Sequence, residues 1–353
     1  MKKEIRAITA ILAAALVLGG CGNSSSGNGG QSSGGGSSAS VEDFTPVTLK
    51  FANQHPSDST ASQSDREICE AIEEATEGRV KVELYTDSAL GDYTSVFEEL
   101  MMGTIDMAHI TAVETYDARM SGAMLPYLGS NFEELGRAYS PDNYLFKTVF
   151  DVAQNLGIRT FGFYCEGFSG VGVASELTNP NVPGQDKGAI VRIPGLDNFA
   201  LAAKDLGFRT STIAYSDTYT AIQTGTVTGW VGGPPNLNYL YFRDVIDHYY
   251  HYMRTQEATQ ILMSEKTYQS LLPQDQDAIT EIIQGKCKES LELAARDDAE
   301  YMQMMADMGI TIVEFSDEER AAFAESCRAN VWPQLAGNTS QEFLDNIEAS
   351  LKE

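Results

Sequence analysis

Apolar and polar residues along this 353-residue chain follow one grammar twice over. Val47, Leu49 and Phe51 alternate with other residues and predict a strand. The turn-forming run His55-Pro56-Ser57-Asp58-Ser59 breaks it, and Ile68, Ala71, Ile72 and Ala75 then recur at helical spacing until Gly78. Val80, Val82 and Leu84 predict a second strand. A turn over 88–92 opens a helix carrying Val96, Phe97, Leu100 and Met101, closed by Gly103, and Ile105 to Ile110 reads as a third strand. A second block repeats this order: strand Ala189–Ile193, helix around Asn198–Leu206, strand Arg209–Ile213, helix Asp217–Thr224, strand Val227–Val231. The junctions Gly103-Thr104-Ile105 and Gly225-Thr226-Val227 echo one another. Strands alternating with helices predict covered α/β sheets, and two such blocks predict two lobes with a cleft between them.

Beyond Pro273 the pattern turns helical, with Ala278, Ile279, Ile282 and Ile283 leading to Leu291, Ala294, Ala295, Met302 and Met305. This is one long helix or two broken at Gly285; if one, it reaches across both lobes. Met302, Met304, Met305 and Met308 are expected to pack in the core. A short strand over Ile310–Phe315 follows.

The first forty residues follow different rules. Lys2, Lys3 and Arg6 precede an uncharged run from Ala7 to Gly20, the form of a secretory signal peptide and too short to span a bilayer. Leu18-Gly19-Gly20-Cys21 resembles the lipobox of bacterial lipoproteins, which implies cleavage before Cys21 and lipidation of its thiol. Residues 22–40 contain 15 Gly or Ser among 19 and cannot build a core, so they read as a flexible tether. Its root-mean-square reach is about 25 Å. An extracytoplasmic body anchored to the cell membrane by lipid is expected.

Charge narrows the function. Lys+Arg 24 against Asp+Glu 50 give −26, and cleavage, which removes a net +2, takes this to −28. Nothing there displaces counterions from nucleic acid. Four histidines, scattered, offer little for a metal; His248 and His251 lie in a tyrosine run with no third ligand nearby. Cys69, Cys165, Cys287 and Cys327 form no CxxC pair, and read either as small buried hydrophobes or as partners in a disulfide. Gly170-Val171-Gly172 reads as close chain packing. The aromatics from Tyr239 to Tyr252 read as core and rim, or as a wall beside a cleft.

The most informative residue is Arg192, inside Ala189-Ile190-Val191-Arg192-Ile193-Pro194. Its apolar neighbours predict a buried strand, and a guanidinium there needs a partner. Two remain open: a structural carboxylate, or a ligand carboxylate held by a bidentate fork.

Arg79 to Tyr85, Ala89-Leu90-Gly91-Asp92, Gly103 to Ala108, Lys187 to Pro194, Tyr219 to Gly225 and Gly309 to Phe323 together resemble the solute-binding proteins of TRAP transporters, the DctP family. The resemblance runs from about residue 47 to 325. It implies a two-lobed, periplasmic-binding-protein-like (Venus flytrap) α/β fold that closes on a small organic acid and delivers it to a small and a large membrane subunit. It implies no cofactor, no metal and no catalysis. The implied lobes are 41–168 plus about 257–297, and 169–256 plus about 298–353. The family's ligand-binding arginine falls on Arg192. By position, further contacts fall on Gln54, His55, Tyr93, Thr111, Phe168, Tyr215, Trp230, Gly232 and Asn236. Two features depart from the family: glycine stands where many members have an asparagine after the Gly-Thr-Val strand, and no arginine occurs between Glu166 and Val191. The second weighs against sialic acid, and both weigh against a C4-dicarboxylate. Two glycines beside Trp230 leave room for a monocarboxylate with an apolar or aromatic body, or a sulfonate. The alternatives are an extracytoplasmic enzyme on such acids, with Glu166 or Tyr215 as base, and the binding protein of an ATP-driven importer.

Overall fold

The computed structural model describes residues 46–351. The segments expected to be a signal peptide and a tether, with Cys21 between them, lie outside the described residues.

Two sheets organise the chain. The first has strand order β2-β1-β3-β10-β4, from β1 (Val47–Asn53), β2 (Val80–Tyr85), β3 (Met107–Ile110), β4 (Ile158–Phe168) and β10 (Gln256–Ser264). The second has order β11-β9-β5-β8-β6-β7, from β5 (Val171–Val173), β6 (Ile190–Ile193), β7 (Arg209–Thr212), β8 (Gly229–Val231), β9 (His248–His251) and β11 (Thr311–Glu314). In each sheet three strands run parallel with the first in sequence in the middle: β2-β1-β3 and β7-β6-β8. An antiparallel strand from the other half of the sequence closes each trio, β10 beside β3 and β5 beside β8. The repeated grammar therefore corresponds to two similar sheets. Gly103 and Gly225 adopt φ of 73° and 71°, so the left-handed turn that ends a helix and starts a strand is the physical content of their echo.

The chain crosses between sheets where β4 runs into β5 and β9 into β10. Ser169 N–H donates to Thr255 O at 2.7 Å, and Ser169 Oγ donates to the same carbonyl at 2.8 Å, tying the crossings together. The third crossing is a single unbroken helix, Pro273–Asp307. Thirty-five residues extend about 52 Å. Gly285 does not break it; the glycine stands over open space. Ile279, Ile283 and Cys287 pack on the first sheet, and Met305 joins Trp230, Phe242 and Tyr249 in the core of the second lobe. One apolar stripe thus serves both lobes. The methionine cluster divides: Met305 is buried and Met308 is 51% exposed, so the expectation of core packing holds for the first and fails for the second.

The last helix, Gln341–Ser350, packs against the helix Tyr144–Asn155, with Asn143 Nδ2 donating to Ser350 O at 3.3 Å. The four cysteines are free thiols; Cys165, Cys287 and Cys327 are buried. His251 is neutral, burial pushing it down to about 4, and no metal-ligand cluster occurs among the described residues.

Candidate functional site

The carboxyl ends of the parallel strands in both sheets converge on one small cavity, with about 30 Å³ of free space, lined by Gln54, Tyr93, Thr111, Arg192, Pro194, Phe199, Tyr215, Trp230, Gly232, Leu237 and Glu257. Open α/β sheets place ligands at such strand ends. Gln54 and Thr111 follow β1 and β3, and Tyr93 starts the helix Tyr93–Met102, whose N-cap is Asp92. Arg192 and Trp230 lie opposite one another in the β6–β8 pairing of the second sheet.

Arg192 is 3% exposed. Its Nε donates to Ile213 O at 2.8 Å, while Nη2 has no hydrogen-bond partner. No structural carboxylate forms an ion pair with it among the described residues. Burial pushes its pKa below the usual arginine range, against the attraction of Tyr93, Tyr215 and Glu257. The Tyr215 ring centroid lies 5.6 Å from the guanidinium carbon, within cation–π range. Tyr215 also has an unpartnered hydroxyl, and its burial raises the phenol well above the ordinary value.

Gln54 and Thr111 are locked together. Gln54 Nε2 donates to Thr111 Oγ1 and Thr111 N–H donates to Gln54 Oε1, both at 2.8 Å. The indole Nε1 of Trp230 donates to Asn238 Oδ1 at 2.9 Å, and its ring lies 4.4 Å from that of Phe242. The room expected beside the two glycines is taken up by the protein. A Cβ on Gly233 would stand 2.0 Å from Trp230 Cη2, and one on Gly232 3.0 Å from Phe199 Cε1. These glycines seat protein rings, so they are no argument for an aromatic ligand.

Three positions named from sequence lie off the cavity wall. His55 is buried in a polar network: Nε2 lies 2.8 Å from Glu166 Oε1, and Nδ1 lies 2.8 Å from Asn53 Oδ1. Burial disfavours its charge, but Glu166, aided by Asp65 and Glu257, wins and raises the imidazole; Glu166 is correspondingly lowered although burial opposes it. The network continues through Thr259, which donates to Glu166 at 3.0 Å, to His109, paired with Asp65 at 3.0 Å. Phe168 packs edge-on against Phe132, its N–H donating to Asp298 Oδ2. Asn236 accepts from Leu237 N–H, and the neighbouring Leu237 faces the cavity. None of the tyrosines from Tyr239 to Tyr252 lines the cavity; Tyr249, Tyr250 and Tyr252 are core.

Four wall residues escaped the sequence reading: Pro194, Phe199, Leu237 and Glu257. Of these, Glu257 carried the most usable signal, a carboxylate a few residues ahead of the apolar run Ile261-Leu262-Met263. Burial and then Glu166 push it up to about 8, with His55, Arg192 and Arg254 pulling the other way.

A family model described as "Bacterial extracellular solute-binding protein, family 7" (DctP) matches residues 51–336. The sialic acid-binding periplasmic protein SiaP of Vibrio cholerae is 25% identical over 88% of this chain and 95% of its own length. The C4-dicarboxylate-binding periplasmic protein DctP of Rhodobacter capsulatus is 23% identical over 87% of this chain and 92% of its own. Among solved structures, the sugar acid binding protein DctPAm of Advenella mimigardefordensis, in complex with galactonate, superposes with a TM-score of 0.79 at 19% identity, covering 88% of this chain and 99% of that one.

Proposed function

The chain belongs to family 7 of the bacterial extracellular solute-binding proteins, and we propose that it is the extracytoplasmic receptor of a TRAP-type importer that clamps an organic acid with Arg192. The observation that carries this is the open Nη2 of a buried arginine on the wall of a cavity between two lobes, with no ion-pair partner among the described residues. The bond from Nε to Ile213 O fixes the orientation of the guanidinium in advance. Its free edge then offers the paired donors that a carboxylate accepts, at little further entropy cost. A bound anion would also relieve the burial penalty on the charge.

Lobe closure supplies the second half of the mechanism. The moving bodies are 46–168 with about 257–297, and 169–256 with about 298–340, hinged where Ser169 bonds Thr255; the last helix, Gln341–Ser350, which the sequence reading gave to the second body, goes with the first because it packs on Tyr144–Asn155. A ligand touching both walls favours the closed state by its differential contacts. Lipid at Cys21 and the Gly/Ser tether would hold the receptor near the small and large membrane subunits to which it passes the acid. The relatives named above are binding proteins. The candidate bases for a catalytic alternative are poorly suited: Glu166 is held by His55, and burial keeps Tyr215 protonated.

The experiment is a thermal-shift screen of organic acids and sulfonates, since a ligand of the folded state raises apparent stability by mass action. A stabilising acid that is recovered chemically unchanged supports the receptor; turnover of that acid, or no stabilising acid in the screen, refutes it.

A further inference from the structure

Glu257 is a buried carboxyl that the clamp leaves unexplained. It is the second residue of β10, is 7% exposed, and stands on the cavity wall contributed by the first sheet. Its carboxyl makes no hydrogen bond and no ion pair among the described residues. The charged groups that act on it are Glu166 of β4, His55 after β1, Arg192 of β6 and Arg254 ahead of β10. Arg254 is itself buried, with both Nη atoms unpartnered and its guanidinium 4.9 Å from the Phe199 ring centroid, and Phe199 lines the cavity. Buried polar groups normally find partners, and the open side of Glu257 is the cavity.

We propose that Glu257 is the second recognition point of this site: it receives a hydrogen-donating group of the ligand, a hydroxyl or an ammonium, while Arg192 holds the ligand's single anionic group. The inference rests on the organic-acid reading of the cavity. A carboxyl can accept a hydrogen bond in either protonation state. A hydroxyl or ammonium therefore satisfies Glu257 whether or not it holds its proton. A second ligand carboxylate brings only acceptors. Below about pH 8 the proton kept on Glu257 can meet one of these oxygens and above it nothing can, and at either pH the carboxylate adds a negative charge where Glu166 already repels one. Two ligand charges would also face one open cavity guanidinium. The site is thus built for an acid with one negative charge and a donor further along, and against a dicarboxylate.

The test is calorimetry on the protein and its Glu257→Gln and Arg192→Ala variants. Galactonate, galacturonate and pantoate serve as singly charged hydroxy acids, and succinate and malate as dicarboxylates. At pH 9, where Glu257 is mostly ionised, wild type should bind the tightest singly charged acid at least about tenfold more tightly than either dicarboxylate, the scale of one misplaced charge. Glu257→Gln should bring that ratio close to one by improving the dicarboxylates. Should that variant fail to fold, the wild-type ratio itself decides: it should narrow between pH 9 and pH 7 as Glu257 takes up its proton, a range in which both carboxyls of the dicarboxylates stay ionised. A wild type that prefers dicarboxylates, or a ratio unmoved by both the substitution and pH, overturns the role of Glu257. If Arg192→Ala still abolishes binding in that case, the receptor reading stands without it. Failure of every acid to bind wild type overturns both.

Discussion

Arg192 of β6 and Glu257 of β10 face one cavity from different sheets, and neither is in an ion pair among the described residues. A buried guanidinium and a buried carboxyl that share a cavity without pairing are placed for something that enters between them. In the proposed mechanism their position on different sheets makes ligand recognition and lobe closure parts of one event.

The first prediction concerns pH. Glu257 rises from 4.5 to about 8, so between those values the folded protein holds a proton that the unfolded chain has lost. Stability from this group is therefore complete below about pH 4.5 and falls as pH rises toward 8, by an amount on the order of a few kcal/mol. Glu257→Gln, which cannot ionise, should melt higher than wild type at pH 8 and close to wild type at pH 5. Equal melting-temperature differences at the two pH values would remove the titration from the account.

The His55–Glu166 pair makes a second prediction. Both side chains are 1% exposed, so removing His55 strands a carboxylate in the interior. His55→Ala should cost about 3–5 kcal/mol in denaturant-derived stability, and His55→Ala with Glu166→Ala less than the sum of the two single changes. Additive costs would mean that the pair is not coupled.

Gly233→Ala should cost about 2–4 kcal/mol, because φ is 135° and the new Cβ would overlap the Trp230 ring. Displacing that ring breaks the bond from its Nε1 to Asn238, so the change should also shift tryptophan emission. Unaltered emission and stability would show that the glycine is not what seats the indole.

How much of this was legible depended on where each constraint resides. Arg192 stood out because a cation inside an apolar strand that ends at proline has only two explanations, and both are local. The trio of parallel strands was legible for the same reason: Val47, Leu49 and Phe51, or Ile190 and Val191, carry their pattern within a few residues. Glu257 was hidden because its burial comes from β10 crossing into the first sheet beside β3 and β4, strands far away in sequence. His55 shows a related effect. The family resemblance set it among the contacts by position, whereas its place off the cavity wall, beside Glu166, depends on strands that only the folded chain brings together. The two glycines after Trp230 were read as space, whereas the tertiary packing of Trp230 and Phe199 fills that space from within the protein.

The central claim is that Arg192 binds the ligand's anionic group, and the most direct measurement is titration calorimetry of Arg192→Ala with an acid that stabilises wild type. Truncating one side of a buried charge pair should weaken affinity by about 2–5 kcal/mol, roughly 30-fold to several thousand-fold, while the variant keeps its cooperative melt. Undiminished affinity in a folded Arg192→Ala protein would contradict the account.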